Sequence, residues 1–197
     1  MIGRLGVPSD VAGWLALFIA VVIAQRIAEL VLSSRHARVM LVRGAREHDA
    51  GHFPLLIVVH VLFPIALVAE VLLLGARPSP LWPLWVGIWA LAQVLRYAAV
   101  RALGERWNVR ILVLPDTPPV RTGPYAWLRH PNYLAVVLEL FAAPMIFGAW
   151  RTAILISLLD LIALRVRIRA EERALGISHT SPWQRMPSAI RAFMDLS

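Results

Sequence analysis

The chain contains no cysteine and no lysine. Without cysteine there is no disulfide, no thiolate metal site and no cysteine nucleophile. Without lysine, arginine carries the whole basic complement of 20 residues. Alongside abundant alanine, leucine, valine and proline, this fits a GC-rich, bacterial coding sequence and takes no functional reading of its own. Charge is scarce as well. Only 16% of the 197 residues are charged and 59% are hydrophobic, against about 25% and about 45–50% in a soluble domain. The apolar residues also lie in long runs that a water-soluble core cannot use, which points to one membrane domain. The formal net charge of +8 raises nucleic acid as a partner. The arginines flank apolar runs, however, as in loops lying near anionic lipid, and no nucleic-acid partner is expected.

Four hydrophobic stretches stand out: Val11–Leu32, Phe53–Leu74, Leu81–Val100 and Tyr133–Ile168. The last is interrupted at Phe147-Gly148-Ala149-Trp150-Arg151 and is read as two helices. Crossing the ~30 Å hydrocarbon core takes about 20 residues at ~1.5 Å each. The first three stretches reach that length. Tyr133–Phe147 reaches only about 22 Å, so the last pair is either two short spanning helices or a re-entrant hairpin. The first run follows Arg4 as a signal peptide's would, but it continues into Gln25, Arg26 and Glu29 without a small-residue cleavage site and is read as a retained helix. The expected fold is all-α and polytopic, with about five transmembrane helices ending in a helical hairpin. No internal repeat or low-complexity tract is seen.

The arginines set the orientation. Arg26, Arg35, Arg38, Arg43 and Arg46 follow the first helix; Arg96, Arg101, Arg106, Arg110, Arg121 and Arg129 lie between the third and fourth. Arg165, Arg167, Arg169, Arg173, Arg185 and Arg191 cluster at the C-terminal end, leaving Arg4, Arg77 and Arg151 on the other side. A split of 17 to 3 predicts the N-terminus outside and the C-terminus in the cytoplasm of an inner or plasma membrane.

Between the third and fourth helices runs the longest polar stretch, Arg101–Pro131. Pro115, Pro118, Pro119, Gly123 and Pro124 prevent it from forming one helix. It is expected to be a shaped cytoplasmic loop, rich in Trp107, Asn108, Tyr125, Trp127 and His130. Pro131 suits the first position of a helix, where its missing N–H is not needed, with His130 at the cap. A helix start offers N–H groups and partial positive charge to a carboxylate or phosphate. The aromatic faces suit an adenine or a sulfonium cation. Farther on, Arg167 and Glu171 are four apart and share one helix face. That pair is either a solvated, salt-bridged helix end or two groups of one pocket, for a substrate anion and a ligand ammonium.

The run Gly123-Pro124-Tyr125-Ala126-Trp127-Leu128-Arg129-His130-Pro131-Asn132-Tyr133, then a helical hairpin and Glu171-Glu172, resembles the isoprenylcysteine carboxyl methyltransferases and related phospholipid methyltransferases. The resemblance is strongest over about Arg106–Gly176, with weaker similarity in Gln25-Arg26-Ile27-Ala28-Glu29-Leu30 and Arg43-Gly44-Ala45. It implies S-adenosylmethionine as methyl donor, held by Thr117, Pro118, Pro119, Val120, Tyr125, His130, Pro131, Asn132, Tyr133, Glu171 and Glu172. Arg167, His130 and Glu171 are the implied catalytic residues, Arg167 meeting the acidic group of the substrate. In the family a tyrosine-containing basic segment follows the glutamate pair. Here the chain runs Gly176-Ile177-Ser178-His179-Thr180-Ser181-Pro182-Trp183, with no tyrosine beyond Tyr133, a departure that bears on how the cofactor pocket closes.

The expected organisation is a single membrane domain over residues 1–197. Residues 1–100 hold three transmembrane helices; 101–197 hold the cofactor-binding loop, the hairpin and a cytosolic C-terminal segment. Glu47, His48, Asp49 and His52 have the chemistry of metal ligands, but Gly51 and Pro54 break the helix that their spacing needs, so no metal is expected and the loop is read as meeting headgroups. His60, Glu70, Gln93, Arg96, Glu139 and Asp160 fall within or at the ends of apolar helices, where polar groups are costly. Most are expected to pair between helices. Glu139, about two turns past Tyr133, is also placed where it faces a substrate tunnel, and Asp160 is expected beside an arginine of a neighbouring helix.

The resulting expectation is a membrane methyltransferase acting on a lipophilic small molecule or lipid-modified substrate that arrives from the bilayer. A carboxylate acceptor needs no base; a phenol or enol needs His130 or a glutamate; an amine must be neutral. In a bacterium, a long-chain phenol, pyrone or quinone is a better candidate than a prenylated protein. A small transporter or scaffold is the rival class. Transporters keep polar groups at the bilayer midplane in broken helices, whereas here they gather at one face.

Overall fold

A computed structural model describes residues 9–48, 53–115 and 117–176. Arg4, Asp49, His52, Arg185, Arg191 and the segment Ile177 to Trp183 lie outside the described residues. Among the described residues there are five α-helices: α1 (Ser9–Val42), α2 (Phe53–Leu72), α3 (Trp82–Leu103), α4 (Pro131–Ile146) and α5 (Trp150–Ala174). The first three are long and apolar enough to cross a membrane, and the protein is an all-α membrane protein. Proline opens α3 and α4, where its fixed φ suits the first turn.

Two features depart from expectation. α1 continues ten residues past Leu32, to Val42. Nothing after Leu32 breaks a helix until Gly44, at φ +86°; Arg35 and Arg38 are good helix formers. At ~1.5 Å per residue the helix is about 51 Å long, more than the ~30 Å hydrocarbon core requires. Second, residues Arg46–His48 form a strand, β1, paired antiparallel with β2 (Ile111–Val113), Glu47 lying opposite Leu112. The segment read as a headgroup loop is thus partly a two-stranded ribbon that ties the end of α1 to the long polar connection. A small cluster of Ala37, Met40, Ala45 and Leu112 seals it.

The main core threads α1, α2, α4 and α5 through Leu15, Val59, Leu67, Leu140 and Ile156. α3 and α4 pack most extensively. Each carries fully buried alanines, Ala92 and Ala99 on α3, Ala135 and Ala142 on α4, small residues of the kind that let helix backbones approach in a membrane. Large apolar side chains such as Trp14, Leu17, Ile65, Val94 and Leu158 face outward, as lipid contact requires.

At the other end, Glu70 is buried and accepts hydrogen bonds from the backbone N–H of Arg151 (3.2 Å) and Thr152 (2.6 Å). A carboxylate of α2 therefore satisfies the orphan N–H groups and the positive end of α5. The turn that delivers α5 depends on Gly148. Its φ is +69°, and a Cβ there would sit 2.0 Å from the Arg77 carbonyl oxygen.

Gly148→Ala is expected to destabilise the fold by more than the ~1–2 kcal/mol of left-handed backbone alone, because the Arg77 backbone must also move. Gly87→Ala, where a Cβ meets nothing, is the control. Thermal unfolding in detergent checks both; a melting temperature for Gly148→Ala equal to wild type would contradict the contact.

Candidate active site

A tight turn brings the polar connection back to α4. Gly123, at φ +58°, starts a 3-10 turn over Gly123–Ala126, and the N–H of Leu128 donates to the Pro124 carbonyl at 2.9 Å. His130 occupies the N-cap position of α4 but makes no side-chain cap bond. Its ring instead stacks on Tyr133, 5.2 Å between centroids, and its Nε2 lies 3.2 Å from Glu172.

Where the end of α5 meets the start of α4, a polar cavity opens. Thr117, Pro118, Pro119, Val120, Tyr125, His130, Asn132, Tyr133, Arg167 and Glu171 all line it, joined by Met40 of α1 and by Trp107 and Asn108. Arg106 pins the proline strap by donating to the Pro118 carbonyl at 2.7 Å. Pro131 and Glu172 are absent from the wall. Pro131 is buried in the first turn of α4, and Glu172 turns aside to ion-pair with Arg129 at 2.9 Å and contact His130. A carboxylate beside an arginine has its charge met there, which leaves Glu171 as the acid facing the cavity. The Tyr133 hydroxyl donates to Glu171 and accepts from Arg167 Nε at 2.8 Å. Burial, and then the nearby Glu171 carboxylate, push the Tyr125 phenol well above its ordinary pKa, so it stays a neutral donor.

Arg167 is buried on the inner face of α5. Its Nη1 donates to the Val109 carbonyl at 2.6 Å and its Nη2 to the Asn108 carbonyl at 3.3 Å. The guanidinium therefore joins α5 to both the polar connection and the first turn of α4.

A second cavity of about 470 Å³ lies alongside. Val22, Ile23, Ile27 and Leu30 of α1 and Leu56, Ile57, Val61 and Ile65 of α2 make its walls apolar. Trp107, Asn108, Asn132, Tyr133 and Arg167 line both cavities. Four polar residues, Arg26, Glu29, His60 and Arg96, also reach the apolar one.

Glu139 does not line either cavity. It is buried behind the arginines, accepting from Arg26 and from Arg96. Glu29 pairs with Arg26 at 2.6 Å and stands 3.6 Å from Arg96, and Gln25 bridges Glu29 (3.0 Å) to Gln93 (2.8 Å). A lone carboxylate in hydrocarbon is too costly to leave facing a tunnel; two cations within reach draw it away and lock α1, α3 and α4 together. Asp160 is fully buried within electrostatic reach of Arg96, an arginine of neighbouring α3, although neither oxygen has a hydrogen-bond partner among the described residues. Glu47 and His48 lie in β1, Glu47 taking a 3.3 Å contact from Arg110. His60 and Arg96 stand out in the sequence as polar groups in apolar helices, where interhelical pairing is the expectation, and Arg26 as an arginine following the first helix; all three also reach the apolar cavity. Ser33 and His36, which hold the connection from α1, carry no local signal.

Helices bury a charged knot in their midst and close a polar cavity against an apolar one. Residues 85–177 match the model of the isoprenylcysteine carboxyl methyltransferase family. The chain is 42% identical over 162 residues to an uncharacterized protein, YpbQ, of Bacillus subtilis, covering 81% of this chain and 95% of that one. An uncharacterized protein of Haemophilus influenzae is 29% identical over 83% of this chain and 94% of its own length. A lamin-B receptor of Drosophila melanogaster is 36% identical over 76 residues, 37% of this chain and 10% of that protein. The protein belongs to the isoprenylcysteine carboxyl methyltransferase family.

Removing Glu139 leaves the buried Arg96 and the half-buried Arg26 to share Glu29 alone. Glu139→Ala is expected to cost about 3–5 kcal/mol, with Glu139→Gln milder because it keeps an acceptor oxygen; unfolding in detergent measures both. Equal stability of all three proteins would show the knot to be dispensable.

Proposed function

We propose that the protein transfers a methyl group from S-adenosylmethionine in the polar cavity to an oxygen of a lipophilic acceptor in the apolar cavity. The supporting observation is the wall that the two cavities share, with Tyr133 and Arg167 in it. When bound, S-adenosylmethionine supplies an electrophilic methyl group on a sulfonium.

The residues present suit that donor. Asn132 Oδ1 is buried without a hydrogen-bond partner and lies in the polar wall, an acceptor awaiting a donor such as an amine or hydroxyl. Glu171 offers a carboxylate for an ammonium. The stacked His130 and Tyr133 rings, and Tyr125 in the same lining, offer flat faces for a base or a cation. Thr117, Pro118, Pro119 and Val120 close the outer side.

Arg167 orients the acceptor. Three of its N–H groups are engaged by Tyr133, Val109 and Asn108, so the guanidinium is preorganised, and its positive charge in the wall shared by the two cavities attracts the acceptor oxygen. Alignment and exclusion of water dominate such a displacement. A carboxylate, as in the carboxyl methyltransferases that give the family its name, reacts without a base; for a long-chain phenol, pyrone or quinone hydroxyl, His130 or Glu171 takes the proton. Relatives in two bacteria favour the hydroxylic lipid over a prenylated protein. The arginine asymmetry supports a polar cavity on the cytoplasmic side, with the N-terminus outside.

Isothermal titration of S-adenosylmethionine into the detergent-solubilised protein tests the reading. Saturable binding is expected, weakened about tenfold to a hundredfold in Glu171→Ala by loss of a charged hydrogen bond, weakened also in Tyr133→Ala, and unchanged in Glu47→Ala. No saturable binding by wild type at millimolar ligand would end it.

A further inference from the structure

The three residues Trp107, Asn108 and Val109 stand between the two cavities, Trp107 and Asn108 lining both and Val109 the apolar one. They have no regular secondary structure, so their own backbone does not hold them in place. They are held from two sides. From α5 come the two Arg167 hydrogen bonds to the Asn108 and Val109 carbonyls.

From α1 comes a second set. The Ser33 hydroxyl donates to Asn108 Oδ1 at 3.0 Å and accepts from the Val109 N–H at 3.0 Å. Asn108 Nδ2 donates back to the Ser33 carbonyl at 3.0 Å. One turn on, His36 Nδ1 lies 2.9 Å from the Trp107 carbonyl; a carbonyl only accepts, so this nitrogen carries the proton. The His36 ring meets the Trp107 indole edge-on at 6.3 Å. Ser33 is 4% exposed and Trp107 5%, so water does not substitute for these bonds.

We infer that Ser33 and His36 are positioning residues of methyl transfer: with Arg167 they fix Trp107–Val109 as a rigid partition that sets the opening between the two cavities. The inference rests on the function proposed above. Transfer demands reacting atoms within about 3–3.5 Å and correctly aligned, so a partition free to shift by an ångström lowers turnover without touching either ligand. It also keeps water out of the apolar side. The α1 half of this clamp lies outside residues 85–177, the part that matches the family model.

The absence of native cysteine permits a test that does not depend on methyl transfer. Val109→Cys in lipid nanodiscs is labelled with a charged, membrane-impermeant maleimide. Adding Ser33→Ala, which removes two of the bonds, is expected to speed labelling by about tenfold or more; adding His36→Ala speeds it less, and Ser33→Thr, which keeps the hydroxyl, restores slow labelling. In chains without the cysteine, Ser33→Ala is expected to lower turnover of labelled S-adenosylmethionine with a long-chain phenol by about tenfold while the donor dissociation constant stays within about twofold. Labelling unchanged by Ser33→Ala, or donor affinity falling in step with turnover, overturns the inference. Faster labelling in a protein whose wild type binds no donor leaves the partition standing and removes the function proposed for it.

Discussion

Everything at this site hangs on one buried guanidinium. Arg167 reaches from α5 to the hydroxyl of Tyr133 on α4 and to two carbonyls of the polar connection. Three chain segments distant in sequence are thereby held at hydrogen-bond distance in a place where water cannot replace a lost partner. A buried cation of this kind is tolerable only with a matching anion, and Glu171 provides it through Tyr133. The same rule governs the interior of the bundle, where Arg26 and Arg96 answer to Glu29 and Glu139. Each arginine around the apolar cavity thus has a glutamate, and the walls as a whole are electrically balanced.

That balance separates two jobs that the sequence leaves mixed. Polar residues in apolar helices are either ligand-facing or structural, and hydropathy alone does not sort them. Glu139 sits on the same helix as Tyr133, yet one belongs to the knot and the other to the cavity. The difference comes from neighbours on other helices: two arginines stand beside Glu139, while Tyr133 faces Arg167 and the open space beyond. Glu171 and Glu172 make the same point within one dipeptide. Successive positions on a helix point about 100° apart, and Arg129 captures one while the other stays in the wall.

What was legible in the sequence was local. The helices could be read because membrane thickness imposes a length and hydrocarbon a composition; the break between α4 and α5 could be read from Gly148 within an aromatic and charged interruption. The gathering of Thr117, Tyr125, His130 and Tyr133 with Arg167 and Glu171 is what the family resemblance implies, not what spacing alone shows. What was not legible depended on distant pairing. Nothing near Arg46 announces Ile111–Val113 as its partner strand, and nothing in Ser33 announces Asn108. The extension of α1 was missed because the apolar run ends at Leu32 while helix propensity does not. The charge of Asp160 points to an arginine on a neighbouring helix; Arg96 of α3 is within electrostatic reach, but no hydrogen bond joins the two.

The knot around Glu139 also has a consequence for how the chain is made. Helices enter the bilayer in order from the N-terminus, so Arg26 arrives with Glu29 one turn away on its own helix, and the pair is neutral from the start. Arg96 arrives on α3 with no acidic residue on that helix, and its main counter-charge is synthesised more than forty residues later. Until α4 emerges, α3 must lean on Glu29 of α1 or leave its cationic end in the headgroups. Nascent α3 is therefore a helix whose final depth in the bilayer is decided by a residue the ribosome has yet to add.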